Sequence, residues 1–495
     1  MKINVLIVPI LLSVIVSGCQ LKKMPSNENE DLTETYFDLI KKEKDNAQLT
    51  LFFSQMPKGG DIHHHYSGAL YAETYLDWAS AKQLTINSET YRLDYTGTLK
   101  KPFITIDSLR NNGTLYRAVL DTWSDMDFSN YCPIQNQPDQ HFFNTFSYFG
   151  SISAMDYKAG LANLKSRAKK ENIQYIETML SSPTFKMNYP PFAMESLLYF
   201  QKIKDTEQLN KYLTTMSNQL TADTTYTHYI KSYRDNLYSY HENIDDADFT
   251  MKFQTYASRN SKPDDVFTKL FSCFDAVNRD QSSLLVGVNI VGPENGVVAM
   301  RDYWLHMQMF KFLKAKFPNV KTSMHAGELA MGMVKPEDLT YHIGDAVFVA
   351  KANRIGHGVD LPYESKPMEL LKQMKDNHVA VEINLTSNEF ILGVRKEDHP
   401  INIYFKAGVP LVISTDDAGV SRNNLTVEYV KLASRYNFNY KDLKSFVYNS
   451  IQYSFMKADE KKKLTELLDA KFVSFESNIA SQYSSLLKVG RREKE

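Results

Sequence analysis

The feature that most constrains this chain is an alternation of eight short apolar runs with segments of helical period. The runs are 60–68 (GDIHHHYSG), 173–180 (IQYIETML), 249–257 (FTMKFQTYA) and 284–292 (LLVGVNIVG), then 321–327 (KTSMHAG), 354–358 (RIGHG), 378–385 (HVAVEINL) and 410–417 (PLVISTDD). Amphipathic segments lie between most of them, clearest at 297–316 and 364–377. Strands that alternate with helices read as parallel βα units, because a parallel partner needs a crossover and a helix supplies it. Eight such units predict the α/β class and a (β/α)8 TIM barrel. A further helix is predicted over 32–55.

Two stretches are too long for a single crossover helix, 71–172 and 183–247. The first contains TINSETYRLDYTGTLKKPFITID, with strand-like alternation and turn residues. It is expected to be an insertion after the first strand with small structure of its own, either a lid-like segment over the catalytic face or a surface elaboration. The expected organisation is a barrel over 32–490 with this insertion at 71–172.

The net charge is −1 over 495 residues, which gives no support for a nucleic-acid partner. Three cysteines exclude a disulfide scaffold, although a pair between Cys132 and Cys273 is conceivable in an oxidising compartment. At the start of the chain, Lys2 precedes an apolar run from Val5 to Val16, followed by Ser17, Gly18 and Cys19. That run suits a signal peptide over 1–18 and is short for a membrane span. Small residues directly before a cysteine look like a bacterial lipobox, with Cys19 acylated and 19–31 a polar tether. The other reading is an ordinary signal peptide with Cys19 incidental. The expectation is an exported lipoprotein of the cell envelope, on the outer-membrane or periplasmic side in a Gram-negative host.

Polar residues collect at the ends of four runs. His63 and His65, two apart on a strand, share a face, while His64 points the other way. His325 and Glu328 stand at the end of the fifth run, His357 near the end of the sixth, and Asp416 and Asp417 end the eighth. Singly, each reads as a cap or a satisfied core group. Together they occupy the rim on which barrels build active sites. Neutral imidazoles and a carboxylate are good zinc donors.

In order, the opening MPKGGDIHHH and the later HAGE, RIGHG and STDD segments resemble adenosine deaminases, as do Ser387-Asn388 and Asp398-His399-Pro400. The resemblance spans roughly 56–433, and its opening is similar to the secreted, growth-factor-type branch of the family. It implies a metal-dependent hydrolase that converts adenosine or 2′-deoxyadenosine to inosine and ammonia. Other readings are deamination of another 6-aminopurine (adenine, a modified adenosine or AMP) or a non-catalytic purine-binding or signalling protein. His63, His65, His325 and Asp416 match the ligands of one Zn2+ per chain. His357 matches the residue that orients and deprotonates the attacking water, and Glu328 the acid that protonates the purine ring. Asp417 and Gly292 match contacts to ring nitrogens, and His65 also borders the substrate. Ser67 departs from the family, which usually has an Asp there to hold the ribose 5′-hydroxyl. The partner implied is a small purine nucleoside; the oligomeric state is not read from the sequence.

Overall fold

The computed structural model describes residues 28–126 and 137–492, with side chains described as far as residue 484. Eleven strands occur among these residues: β1 (Gly59–His65), β2 (Thr85–Asn87), β3 (Leu93–Asp94), β4 (Phe103–Thr105), β5 (Ile173–Ser181), β6 (Thr250–Ser258), β7 (Leu285–Val291), β8 (Lys321–Ala326), β9 (Arg354–His357), β10 (Ala380–Ile383) and β11 (Leu411–Ile413). Eight of them form one parallel sheet in the order β1-β5-β6-β7-β8-β9-β10-β11. Each of these eight coincides with one of the eight runs predicted from the sequence. A parallel bridge between His64 and Asp416 joins the two edges, so the sheet nearly closes into the predicted barrel. Helices cover its outside, as a parallel sheet buried on both faces requires. β5, for example, is buried along eight of its nine residues.

Most crossovers are single helices, such as Val297–Lys316 and Pro367–Asp376. The 183–247 stretch holds three, Ala193–Ile203, Thr206–Ala222 and Thr224–His241. The 71–172 stretch builds an antiparallel sheet, β3-β2-β4, together with helices that include Gly113–Trp123, Pro138–Ser153 and Tyr157–Lys170.

The helix expected over 32–55 is two helices, Glu28–Lys42 and Asn46–Gln55. Lys44 takes a left-handed backbone (φ 57°), and Asp45 caps the second helix by accepting from the N–H groups of Ala47 and Gln48. A capping aspartate satisfies donors that an uninterrupted helix would otherwise use, so the chain turns here. Cys273 is a buried free thiol. Cys132, Cys19, the 1–18 segment and most of the tether lie outside the described residues. No helix among the described residues is long and apolar enough to cross a membrane.

Candidate active site

Closure of the barrel brings the two ends of the chain's motif series together. The N–H of His65 donates to the Asp416 carbonyl (3.2 Å), and the N–H of Asp416 donates to the His63 carbonyl (3.0 Å). His63 and His65 point to one side, with ring centroids 5.4 Å apart, while His64 turns away and bonds Thr178. His65 Nε2 lies 3.1 Å from His325 Nε2, and Asp416 Oδ1 lies 3.3 Å from the Nε2 atoms of both His63 and His65. One donor atom from each of His63, His65, His325 and Asp416 falls within 4.8 Å of all the others.

A buried polar layer aims these rings. His63 Nδ1 meets Glu382 Oε2 at 2.6 Å, and His325 Nδ1 meets Asn289 Oδ1 at 2.9 Å, which leaves both Nε2 atoms facing the cluster. Ser323 and Arg354 donate to Glu382. Arg354 and Gln254 donate to Glu177, and Asn289 donates to Gln254. Outer partners of this type fix a ligand's tautomer and orientation.

The electrostatics fit a cation. Burial, then the neighbouring histidines, holds His325 well below the ordinary histidine value, and burial lowers His65. Burial opposes charge on Asp416, yet hydrogen bonds from His63 and His65 hold its carboxyl well below the usual range. Burial also opposes charge on His63, but Asp416 and Glu382 outweigh it and push His63 up to about 10. Arg354 balances Glu382, and Asp416 is left charged against the three rings, where a bound cation would be held. His63 Nε2 is buried and faces Asp416 Oδ1 at 3.3 Å. Three imidazoles and one carboxylate are the donor set of a zinc site that keeps an open position.

Glu328 and His357 stand beside the cluster, with Glu328 Oε1 3.6 Å from His357 Nε2. Burial first, then Asp416 and Glu294, raises the Glu328 carboxyl well above its ordinary value, which favours the protonated form. Burial, followed by the charge of Asp416, does the same to Asp417. A protonated carboxyl can donate a hydrogen bond. Burial pushes His357 down to about 3, leaving a neutral ring. His357 (φ 70°) and Asp416 (φ 61°) both hold left-handed backbone. Such conformations cost about 1–3 kcal/mol for a non-glycine residue and collect at functional sites.

These groups open onto a cavity of about 330 Å3, lined by His65, Ser67, Gly292, His325, Glu328, His357, Asp416 and Asp417, together with Phe142, Phe143, Phe146, Tyr256, Val291 and Pro293. Every site residue named from the sequence, apart from Cys19, lines this cavity or, like His63, supports it. Gly292 has φ 98°, a conformation that glycine adopts without strain. Gly68 matters for another reason: a Cβ there would lie 1.5 Å from Asp417 Oδ1.

The sequence reading missed the phenylalanine wall and the buried layer. Phe142, Phe143 and Phe146 sit on the helix Pro138–Ser153, so the 71–172 insertion supplies one side of the cavity. Their spacing, F-F-x-x-F, is a signal that could have marked one helix face. Glu382 could have been found as a lone carboxylate within the apolar strand β10.

The adenosine deaminase family model matches residues 250–471. That span contains Gly292, His325, Glu328, His357, Asp416 and Asp417, but not His63, His65 or Ser67. The adenosine deaminase of Enterococcus faecalis is 33% identical over 157 residues, covering 31% of this chain and 43% of the relative. The chain thus matches less than half the length of that curated relative. Among solved structures, adenine deaminase from Arthrobacter aurescens superposes with a TM-score of 0.52 at 15% identity, covering 83% of this chain and 99% of the other. An amidohydrolase from Burkholderia ambifaria, with bound Zn, gives 0.52 at 14% identity, covering 87% and 94%. At such identities these two structures speak to the fold alone.

Proposed function

We propose, from the adenosine deaminase family model that matches residues 250–471, that the barrel is a hydrolytic deaminase that releases ammonia from the 6-amino group of adenosine or 2′-deoxyadenosine. The observation that carries this reading is a buried Glu328, in surroundings that raise its carboxyl, beside a four-donor cluster at one cavity. His63, His65, His325 and Asp416 would hold one Zn2+, which when bound supplies Lewis-acid activation of water.

The remaining roles belong to the chain's own groups. A water oxygen adds at the purine carbon that bears the amino group, the carbon–nitrogen bond breaks, and the amino group leaves as ammonia with one of that water's two protons, while the other replaces the proton Glu328 gives up. Glu328 gives its proton to the adjacent ring nitrogen, which keeps negative charge from building up in the ring. Asp417, protonated, donates to the nitrogen of the five-membered ring. The Gly292 N–H meets a further ring nitrogen. His357 orients the attacking oxygen. Phe142, Phe143 and Phe146 exclude water and offer faces for a planar base.

No lysine or arginine occurs among the described residues lining the cavity. A phosphate group needs cationic donors, so an unphosphorylated substrate is favoured over AMP. We also propose that Cys19 carries a lipid anchor that holds the exported enzyme on the cell envelope.

The test is ammonia release by the purified, zinc-loaded chain on adenosine, 2′-deoxyadenosine, adenine and AMP. Preference for the two nucleosides supports the reading. Preference for adenine or AMP replaces the substrate, and inactivity on all four overturns the activity.

A further inference from the structure

Behind His357 lies a chain of hydrogen bonds with a fixed direction. His399 Nδ1 accepts from the backbone N–H of Ile401 at 3.2 Å. A backbone N–H can only donate, so this ring nitrogen carries no proton. His399 is buried, and burial pushes it down to about 3, so the ring is neutral and its one proton sits on Nε2. That Nε2–H donates to Asn388 Oδ1 at 3.2 Å. The amide of Asn388 is thereby oriented, and its Nδ2 donates to His357 Nδ1 at 2.9 Å. Asn384 offers a second amide donor to the same nitrogen at 3.4 Å. Asn384 and Asn388 are four apart at the start of the helix Leu385–Leu392, so they share a face.

We propose that Asn388 and His399 are positioning residues that lock His357 in the tautomer with its proton on Nε2. The lock follows from donor directions alone: Nδ1 of His357 faces amide donors, so the proton of a neutral ring has only Nε2 to occupy. Nε2 is buried with no hydrogen-bond partner among the described residues, and it faces the cavity beside Glu328. His357 therefore presents an N–H to the attacking oxygen. In that form it donates a hydrogen bond and cannot take a proton, so orientation remains of the dual role that the family resemblance implied. The consequence for catalysis rests on the proposed deaminase reading; the tautomer itself does not.

Two variants and one spectrum test this. Asn388→Asp keeps the shape and still accepts from His399, but a carboxylate next to His357 Nδ1 draws the proton to that nitrogen. Asn388→Ala removes the donor and leaves Asn384 in reach. A purely structural role makes the alanine variant the worse one. The tautomer lock predicts the reverse: kcat falls about tenfold or more in Asn388→Asp, and less in Asn388→Ala, with KM little changed. Nitrogen-15 NMR of the histidine side chains, with and without zinc, reads the tautomer directly. The wild type is expected to show His357 protonated on Nε2, and Asn388→Asp to show protonation on Nδ1. A wild-type ring protonated on Nδ1, or an Asn388→Asp variant within twofold of wild-type kcat, overturns the proposal. A wild type with the expected tautomer and no deaminase activity overturns the function instead and leaves the lock standing.

Discussion

In its proposed role as an acid Glu328 depends on burial among other carboxylates, which raises its carboxyl; at the surface the same side chain would be ionised at neutral pH. Glu328→Gln keeps the shape and cannot deliver the proton. Its kcat is expected to fall roughly 10²-fold or more while bound zinc stays at the wild-type level. Steady-state kinetics with metal analysis checks this, and near-normal kcat removes Glu328 from the role. His325→Ala deletes one of four donors and is expected to lose most of the bound zinc and nearly all activity; wild-type metal content in that variant would strike His325 from the ligand set. Ser67 lines the cavity where the family usually has a carboxylate. A hydrogen bond to a charged group contributes roughly 1.5–3 kcal/mol, against about 1 kcal/mol for a neutral pair. The enzyme is therefore expected to discriminate weakly between adenosine and 5′-deoxyadenosine, and Ser67→Asp to raise the ratio of their kcat/KM values. A wild-type ratio of about 100-fold would assign the 5′-hydroxyl to another residue.

The helix Pro138–Ser153 and strand β10 contribute to the site in different ways. The helix gives Phe142 to both the core and the cavity wall, and partly buried Phe143 to the cavity. Phe143→Ala removes apolar contact that ground state and transition state share, so KM is expected to rise severalfold with kcat nearly unchanged. A drop in kcat at constant KM would contradict that assignment. β10 brings Glu382 between His63, Ser323 and Arg354, all of them buried. The lone carboxylate in an apolar run was visible in the sequence, but its partners were not, because they come from facing strands remote in the chain. The eight strand runs were legible because a parallel strand buried on both faces needs continuous apolar sequence. The break at Lys44 and Asp45 was not, because apolar spacing continues across it.

At the scale of the whole molecule, the four-donor cluster draws on β1, β8 and the loop after β11, and ligand binding stabilises whatever must be folded to bind. Loading with zinc to about 1,000-fold over its Kd is expected to add about 4 kcal/mol of stability. Chelation should therefore lower Tm, and an unchanged Tm would place the metal elsewhere. The proposed anchor is tested by fractionation: Cys19→Ser should release the chain from membranes, and a wild type already soluble after export would end the lipid reading.

The sequence by itself determined the eight βα units and which side chains stand at strand ends, since these depend on local period and on alternation along a strand. It also marked His63, His65, His325, Glu328, His357, Asp416 and Asp417 as one set, through the order of four motifs. Only the tertiary structure decided their charge and geometry. Closure of β11 onto β1 carries Asp416 to within 3.3 Å of His63 and His65, across more than 350 residues of chain. Enclosure then removes solvent, which raises the Glu328 and Asp417 carboxyls, and it supplies the amide proposed to settle the proton on His357. Distances between remote strands and the loss of water are properties of the closed barrel; no local stretch of sequence carries them.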